Sequence, residues 1–162
     1  MSELLKFYFP SHLKYLDLAH HLTERIIEEL TTDEDVRYHL TLVVSEAVTN
    51  AIVHGNQNDV SKDLILCFSY DQDKLKIEVE DQGKGKGQGF DPEKIKSQLE
   101  KEKLHRDSGR GIFLVQAFMD KVRFLAKASG GTKVEMIKYL KNLKSKNEKM
   151  LALREKSSYN NH

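Results

Sequence analysis

The fold is decided by residues 64–79, which read LILCFSYDQDKLKIEV. On both sides of the central Asp-Gln-Asp, apolar side chains occupy every second position, which is the period of a β-strand with one face in a core. The polar triplet is typical of a tight turn. The stretch therefore predicts a β-hairpin. Cys67, the single cysteine of the chain, is expected to be a small buried residue of the first strand.

A long amphipathic helix precedes this hairpin. Between residues 40 and 52, apolar side chains recur at the i, i+3, i+4, i+7 spacing of a helix with one buried face. Thr32 or Asp33 can cap its start through a side-chain oxygen. The dipeptide Gly55-Asn56 is a normal signal for its end.

The other predicted elements lie on either side of this helix and hairpin. They are a strand over residues 4–9 ended by Pro10, a helix capped by Ser11, a helix from near Gly109, and strands over 122–128 and 132–139 joined at Gly130-Gly131. Hairpins dominate over alternating βαβ units. This order indicates an α+β two-layer sandwich, with a mixed, mostly antiparallel sheet of about five strands covered on one face by three helices.

Length and charge narrow the class of protein. A chain of 162 residues is expected to form one domain, here residues 1–140, followed by a basic and partly disordered tail over 141–162. The formal net charge of +1 argues against broad nucleic-acid binding. Neither an apolar run of roughly 18 residues nor a signal peptide is recognisable, so we expect a cytoplasmic protein without direct membrane contact.

Two polar residues flank the apolar stripe of the long helix. Glu46 and Asn50 are four residues apart and therefore lie on the same side. A carboxylate at the edge of the core can act as a general base, and an amide oxygen can ligate Mg²⁺. The alternative is an ordinary polar flank of an amphipathic helix. His54, two turns after Glu46, could face the same cleft.

Two glycine-containing stretches follow. Asp81 ends the second hairpin strand and can accept a hydrogen bond from an exocyclic amine such as that of adenine, although a turn-forming aspartate is the simpler reading. Ser108-Gly109-Arg110-Gly111 leads into a helix, where free peptide N–H groups favour phosphate and Arg110 adds charge. The alternative is an N-cap followed by a glycine hinge. Neither stretch is a Walker A motif or a dinucleotide-binding fingerprint.

Taken together in this order, the stretches resemble a known family. Glu46 to Asn50, Asp81 to Gly85, and Ser108 to Gly111 resemble the N, G1 and G2 boxes of the GHKL ATPase superfamily, which has the Bergerat fold. Gly130 to Val134 resembles its closing Gly-Thr box. The compact length is similar to that of the anti-sigma-factor serine kinases of bacteria, and so are Glu46 to Asn56, Gly89-Phe90-Asp91-Pro92, and residues 109–115 followed by Met119-Asp120. The resemblance covers residues from about 5 to 140.

The resemblance implies a role for each matching residue. Glu46 would be the catalytic base, Asn50 would hold Mg²⁺ against the phosphates, and Asp81, supported by Thr132, would receive the adenine amine. The implied nucleotide-binding residues are Asn50, Asp81, Gly83, Gly85, Gly89, Ser108, Gly109, Arg110, Gly111 and Thr132, with residues 92–108 as a lid. The segment from Asp81 to Phe90 is longer than is usual for the family, so either Gly85 or Gly89 is the second functional glycine. The lysines of this longer segment either touch phosphate or belong to a solvated insertion.

The function implied by the resemblance is that of a cytoplasmic ATP-dependent serine protein kinase and anti-sigma factor. Such a protein binds ATP and Mg²⁺, phosphorylates an anti-sigma-factor antagonist, sequesters a sigma factor and forms a homodimer. Two alternatives stay open. One is a nucleotide-binding regulatory module without phosphotransfer, and the other is a detached histidine-kinase-type ATPase domain.

Overall fold

One five-stranded sheet carries three helices on one face in the computed structural model, which describes residues 3–83 and 110–140. The strands are β1 (Glu3–Pro10), β2 (Asp63–Tyr70), β3 (Lys74–Glu80), β4 (Lys121–Ala126) and β5 (Thr132–Tyr139). The helices are α1 (Leu16–Glu28), α2 (Glu34–Asn50) and α3 (Arg110–Phe118). The strand order is β1-β2-β3-β5-β4, with antiparallel pairing between all described neighbours. The predicted α+β sandwich is confirmed, and its sheet is antiparallel throughout the described strands rather than mixed.

The predicted hairpin is formed by β2 and β3. Oδ1 of Asp71 accepts hydrogen bonds from the backbone N of Asp73 at 2.8 Å and of Lys74 at 3.0 Å, which closes the turn. Leu66 on β2 faces the helices and is completely buried. Cys67 points to the other face and is only 6% exposed, so the prediction of a buried cysteine is confirmed. Burial raises the pKa of its thiol.

The start of α2 is capped by Asp33 rather than by Thr32. Oδ1 of Asp33 accepts a hydrogen bond from the backbone N of Val36 at 3.1 Å. The expectation that Ser11 caps the first helix is wrong. Ser11 is completely buried, and a 3₁₀ turn over Leu13–Tyr15 separates it from α1.

The end of α2 widens into a π turn over Ala51–Gly55. The backbone N of Asn56 donates to the carbonyl of Ala51 at 2.8 Å, an i to i+5 bond in place of the usual i to i+4 bond. Gln57 and Asn58 then take the left-handed conformation, with φ of 56° at each, and end the helix. The predicted stop at Gly55-Asn56 is confirmed.

Helix α3 packs against α2 in the opposite direction. At its start, a Cβ on Gly111 would overlap the carboxylate of Glu46. At its end, the ring of Phe118 stacks on that of His39 with centroids 4.0 Å apart. Nζ of Lys138 donates to the Phe118 carbonyl at 2.8 Å and fixes this end of α3 to β5. The Glu46 turn of α2 therefore lies at the start of α3.

The core lies between the helices and the sheet, whereas the other face of the sheet carries ion pairs. Glu80 on β3 is bridged by Lys127 and by Lys133, each at 3.0 Å. Burial alone would raise the pKa of the Glu80 carboxyl, but these two ammonium groups outweigh it and hold the pKa below its ordinary value.

Within the described residues, no helix is both long and apolar enough to cross a membrane. The tail over 141–162 lies outside the described residues, so the domain division at residue 140 stays a prediction.

Candidate functional site

A cavity opens between the helical layer and the sheet, beside the last turns of α2. The empty space between its lining atoms is about 590 Å³, which includes open solvent at its mouth. The lining residues are Ala47, Asn50, Ala51, His54, Gly55, Val79, Asp81, Val115, Phe124, Thr132 and Val134. Most are apolar, and a few polar groups converge among them. Such a lining is typical of small-molecule sites.

Asp81 is the buried acid of this cavity. It is only 6% exposed, and its Oδ1 accepts hydrogen bonds from the backbone N of Gly83 at 2.9 Å and of Thr132 at 3.2 Å. The Asp81 backbone N donates to the Thr132 carbonyl at 3.0 Å, and Nζ of Lys127 reaches the Asp81 carbonyl at 3.3 Å. The hydrogen bonds from Gly83 and Thr132 hold the carboxylate in one orientation through Oδ1, so Oδ2 is its remaining acceptor. The contacts from β5 and from Lys127 hold the backbone of Asp81.

Three glycines make room for this carboxylate. A Cβ on Gly55 would lie 2.5 Å from Oδ2 of Asp81, and one on Gly83 would overlap the Gly55 carbonyl. A Cβ on Gly131 would overlap the Asp81 carbonyl, and its φ of +86° is in the left-handed region. The close packing explains why these positions hold no side chain.

Two predicted residues line the cavity, Asn50 at the end of α2 and His54 in the π turn. Glu46 is not part of the lining but lies one turn before Asn50, half-buried. The carboxylate of Glu46 lies against Gly111, at the start of α3. One side of α2 and its π turn therefore carries the carboxylate of Glu46, the amide of Asn50 and the imidazole of His54. This row runs from the start of α3 to the end of the sheet that carries Asp81.

Comparison with known proteins decides the family. Residues 9–138 match the model of the histidine kinase-like ATPase domain. The chain belongs to this family. It is 34% identical over 121 residues to the anti-sigma F factor of Anoxybacillus flavithermus, covering 74% of this chain and 80% of that protein. It is 33% identical over 118 residues to the anti-sigma F factor of Bacillus thuringiensis, covering 72% and 73% respectively.

A solved structure shares the fold of this ATPase domain. The crystal structure of the RsbU and RsbW domains of Rv1364c from Mycobacterium tuberculosis superposes with a TM-score of 0.58 at 15% identity. The match covers 83% of this chain and 32% of that one, so the chain spans about a third of its length. The family model and the anti-sigma F factor relatives confirm the resemblance to the GHKL superfamily and to its anti-sigma branch.

Part of the predicted site lies outside the described residues. This holds for Gly85, Gly89, Ser108, Gly109, the lid over 92–108 and the side chain of Arg110. Their roles stay predictions. Among the described positions, the structure brings Asn50, Asp81 and Thr132 into one cavity. Gly83 packs against the carboxylate of Asp81, and Gly111 packs against that of Glu46.

Several residues of the site were not assigned from the sequence. Gly55 was read as a helix-end signal within the stretch Glu46 to Asn56, and Gly131 as a turn residue within the closing Gly-Thr box. No contact was assigned to either, yet both pack against Asp81. Lys127 gave no signal because it lies in a strand connection and reaches the Asp81 carbonyl only in the folded chain. These residues lie 26 or more positions from Asp81 in the sequence, so local sequence patterns do not predict the contacts.

An ATPase domain binds ATP, and the donor set fits the Mg²⁺ that accompanies its phosphates. The described residues include no group of three or more His, Cys, Asp or Glu side chains that could hold a metal ion by themselves. Mg²⁺ at a nucleotide keeps several waters and takes one or two protein oxygens beside the phosphates. The amide oxygen of Asn50 on the cavity wall is such a donor.

Proposed function

We propose that this protein is an ATP-dependent serine protein kinase and an anti-sigma factor. It phosphorylates an anti-sigma-factor antagonist, sequesters a sigma factor and acts as a homodimer in the cytoplasm. The observation that carries the proposal is the shared cavity. It joins a buried carboxylate suited to adenine, on Asp81, to the side of α2 that carries Glu46 and Asn50. The anti-sigma F factors that match most of the chain support the choice of partners.

The adenine end of the site follows from the contacts of Asp81. Because Oδ1 already accepts two peptide N–H groups, Oδ2 is the acceptor for the exocyclic amine of the base. Val79 and Val134 give the ring apolar walls. Thr132, whose backbone holds the carboxylate, also lies on the lining and can contact the base directly or through water.

The phosphate end lies toward α3. Peptide N–H groups in the first turn of a helix have no acceptor inside the helix, and the helix dipole adds partial positive charge there. Gly111, in this first turn, has no side chain that could block a phosphate. Asn50 would hold Mg²⁺, which neutralises phosphate charge when it is bound.

Glu46 is the base of the proposed transfer. Its carboxylate accepts the proton of a substrate serine hydroxyl as the serine oxygen bonds to the γ-phosphorus of ATP. The bond from that phosphorus to the β–γ bridging oxygen breaks, and ADP leaves with the electron pair. Phosphoryl transfer depends mainly on positioning and charge neutralisation, so this small set of groups is sufficient.

The proposal is tested with γ-labelled ATP, Mg²⁺ and purified candidate antagonists from the same genome. We expect the wild type to transfer label to a serine of one antagonist, and Glu46→Gln to bind ATP while transferring at least 100-fold less, because general-base catalysis contributes roughly 10²–10⁴-fold. Glu34→Gln, on the exposed first turn of the same helix, is the matched control and should transfer normally.

Three other outcomes would contradict the proposal in different ways. Unchanged transfer by Glu46→Gln would refute the assignment of the base. ATP binding and partner binding without transfer by the wild type would favour a regulatory module. Label on a histidine would favour a detached histidine-kinase-type ATPase domain. A pull-down of purified sigma factors, with ATP present, tests sequestration separately.

A further inference from the structure

Asn56 is a completely buried polar residue directly after the π turn of α2. Its Nδ2 donates to Oγ of Ser11 at 2.6 Å and to the carbonyl of Asp63 at 3.0 Å. Its Oδ1 accepts from the backbone N of Gln82 at 2.7 Å. One amide thus joins the end of β1, the start of β2 and the residue that follows Asp81.

The segment over residues 81–83 is held by this region at every position. Gly55 packs against the Asp81 carboxylate and places its carbonyl against Gly83. Between them, the backbone of Gln82 is bonded to Asn56, and Oε1 of Gln82 accepts from the backbone N of Asp63 at 2.8 Å. We call this segment, residues 81–83, the Asp81 loop.

The same contacts connect the Asp81 loop to α2. The π bond from the backbone N of Asn56 to the Ala51 carbonyl makes Gly55 and Asn56 a direct continuation of the helix that carries Asn50. A displacement of the loop relative to this helix would break the bond to Gln82. Thr132 holds Asp81 from the opposite side, on β5, but has no hydrogen bond to α2 among the described residues.

We propose that Asn56 is a positioning residue that sets base selectivity. Through Gln82, it fixes the distance between the Asp81 carboxylate and the α2 wall, and therefore the fit of an exocyclic amine between them. A buried amide with all three bonds made is costly to disturb, since removing one partner leaves the others unsatisfied. The inference rests on the proposed adenine site.

The test compares ATP with inosine triphosphate, which carries a carbonyl oxygen where adenine carries its amine. Titration calorimetry on the full chain gives the ratio of the two dissociation constants. We expect the wild type to favour ATP, and Asn56→Ala to reduce this preference roughly tenfold by weakening ATP binding while inosine triphosphate changes little. Asn56→Asp keeps an acceptor for Gln82 but loses both Nδ2 donations, so it should recover the preference only in part.

A purely structural role would leave the ratio unchanged. Thr23→Ala is the matched control, because it removes another buried hydrogen bond, to the Ala19 carbonyl at 2.7 Å, on α1, which contributes no residue to the cavity lining. It should lower the melting temperature without altering the ratio. If Asn56→Ala does not fold, Ser11→Ala removes one of the three bonds and should lower the preference in the same direction by a smaller factor.

The outcomes separate this inference from the proposed function. A wild type that binds neither nucleotide, or binds both equally, would refute the adenine site itself. A wild type that favours ATP, combined with Asn56 and Ser11 variants that weaken both nucleotides by the same factor, would overturn the inference alone.

Discussion

Replacing Asp81 by Asn tests the adenine assignment with little disturbance of the fold. The amide oxygen of the variant can still accept from the backbone N of Gly83 and of Thr132, which at 2.9 and 3.2 Å hold Oδ1 in the wild type. The opposite orientation would turn an NH₂ group toward two N–H donors and is therefore disfavoured. The variant consequently presents a donor where the carboxylate presents Oδ2.

The magnitude follows from the hydrogen bond that is lost. A bond to a charged acceptor contributes about 1.5–3 kcal/mol. Since 1.4 kcal/mol corresponds to a factor of ten, the dissociation constant for ATP should rise about 10- to 150-fold. The melting temperature should fall by no more than about 3 °C, because two bonds are weakened but none is broken.

The assay is titration calorimetry with ATP in the presence of Mg²⁺, accompanied by thermal denaturation. Asp71→Asn is a matched control, because Asp71 also accepts two backbone N–H groups through Oδ1, at the opposite end of the sheet. It should bind ATP as the wild type does. Wild-type affinity in Asp81→Asn, with the fold intact, would refute the reasoning.

Three further predictions concern stability and reactivity. Gly131→Ala should lower the free energy of unfolding by more than Gly130→Ala, as measured in urea. Both glycines have positive φ, which costs a side chain about 1–2 kcal/mol, but only at Gly131 would the new Cβ overlap the neighbouring backbone. The pKa of the Glu80 carboxyl is lower in the folded protein than its unfolded value of 4.5. Its contribution to stability is therefore present above pH 4.5 and is lost as the pH falls through the folded pKa. The urea midpoint should consequently fall less between pH 7 and pH 3 in Glu80→Gln than in the wild type. Cys67 should react slowly with a thiol reagent in the native protein and rapidly in urea, since it is buried and its thiol pKa is raised.

The parts of the fold that were predicted correctly depend on local patterns. The β2–β3 hairpin and α2 have strong periodicities, and Asp71 and Asp33 stabilise their turn and cap through neighbours two or three residues away. Ser11 was misassigned because its hydrogen-bond partner Asn56 is 45 residues distant. A serine hydroxyl can serve either as a helix cap or as the partner in a buried tertiary contact. The spacing of residues along the sequence does not distinguish the two roles.

The residues of the site also fall into two groups, those with a local sequence pattern and those whose contacts form only in the folded chain. Motif order predicted roles for Glu46, Asn50 and Asp81, because the helix and the strand end each carry a recognisable local pattern, and these roles stay predictions. Gly55 and Asn56 were read as the end of a helix and of a stretch that resembles the anti-sigma-factor kinases, with no contact to Asp81 assigned to either. Their close packing on the Asp81 loop depends on the π turn, which shifts the hydrogen bonding by one residue and has no periodic signature.

The antiparallel register has a practical consequence for biophysical measurements. Glu3 pairs with Tyr70 and Lys74 pairs with Tyr139, so the first residue of β1 and the last of β5 lie at the same end of the sheet. Asp81 is at the other end, and an eight-residue strand spans about 27 Å. A fluorophore or biotin attached at position 3, on the exposed first residue of β1, is therefore separated from the cavity by the length of the sheet. Surface immobilisation through this position should leave the nucleotide entrance open to solution.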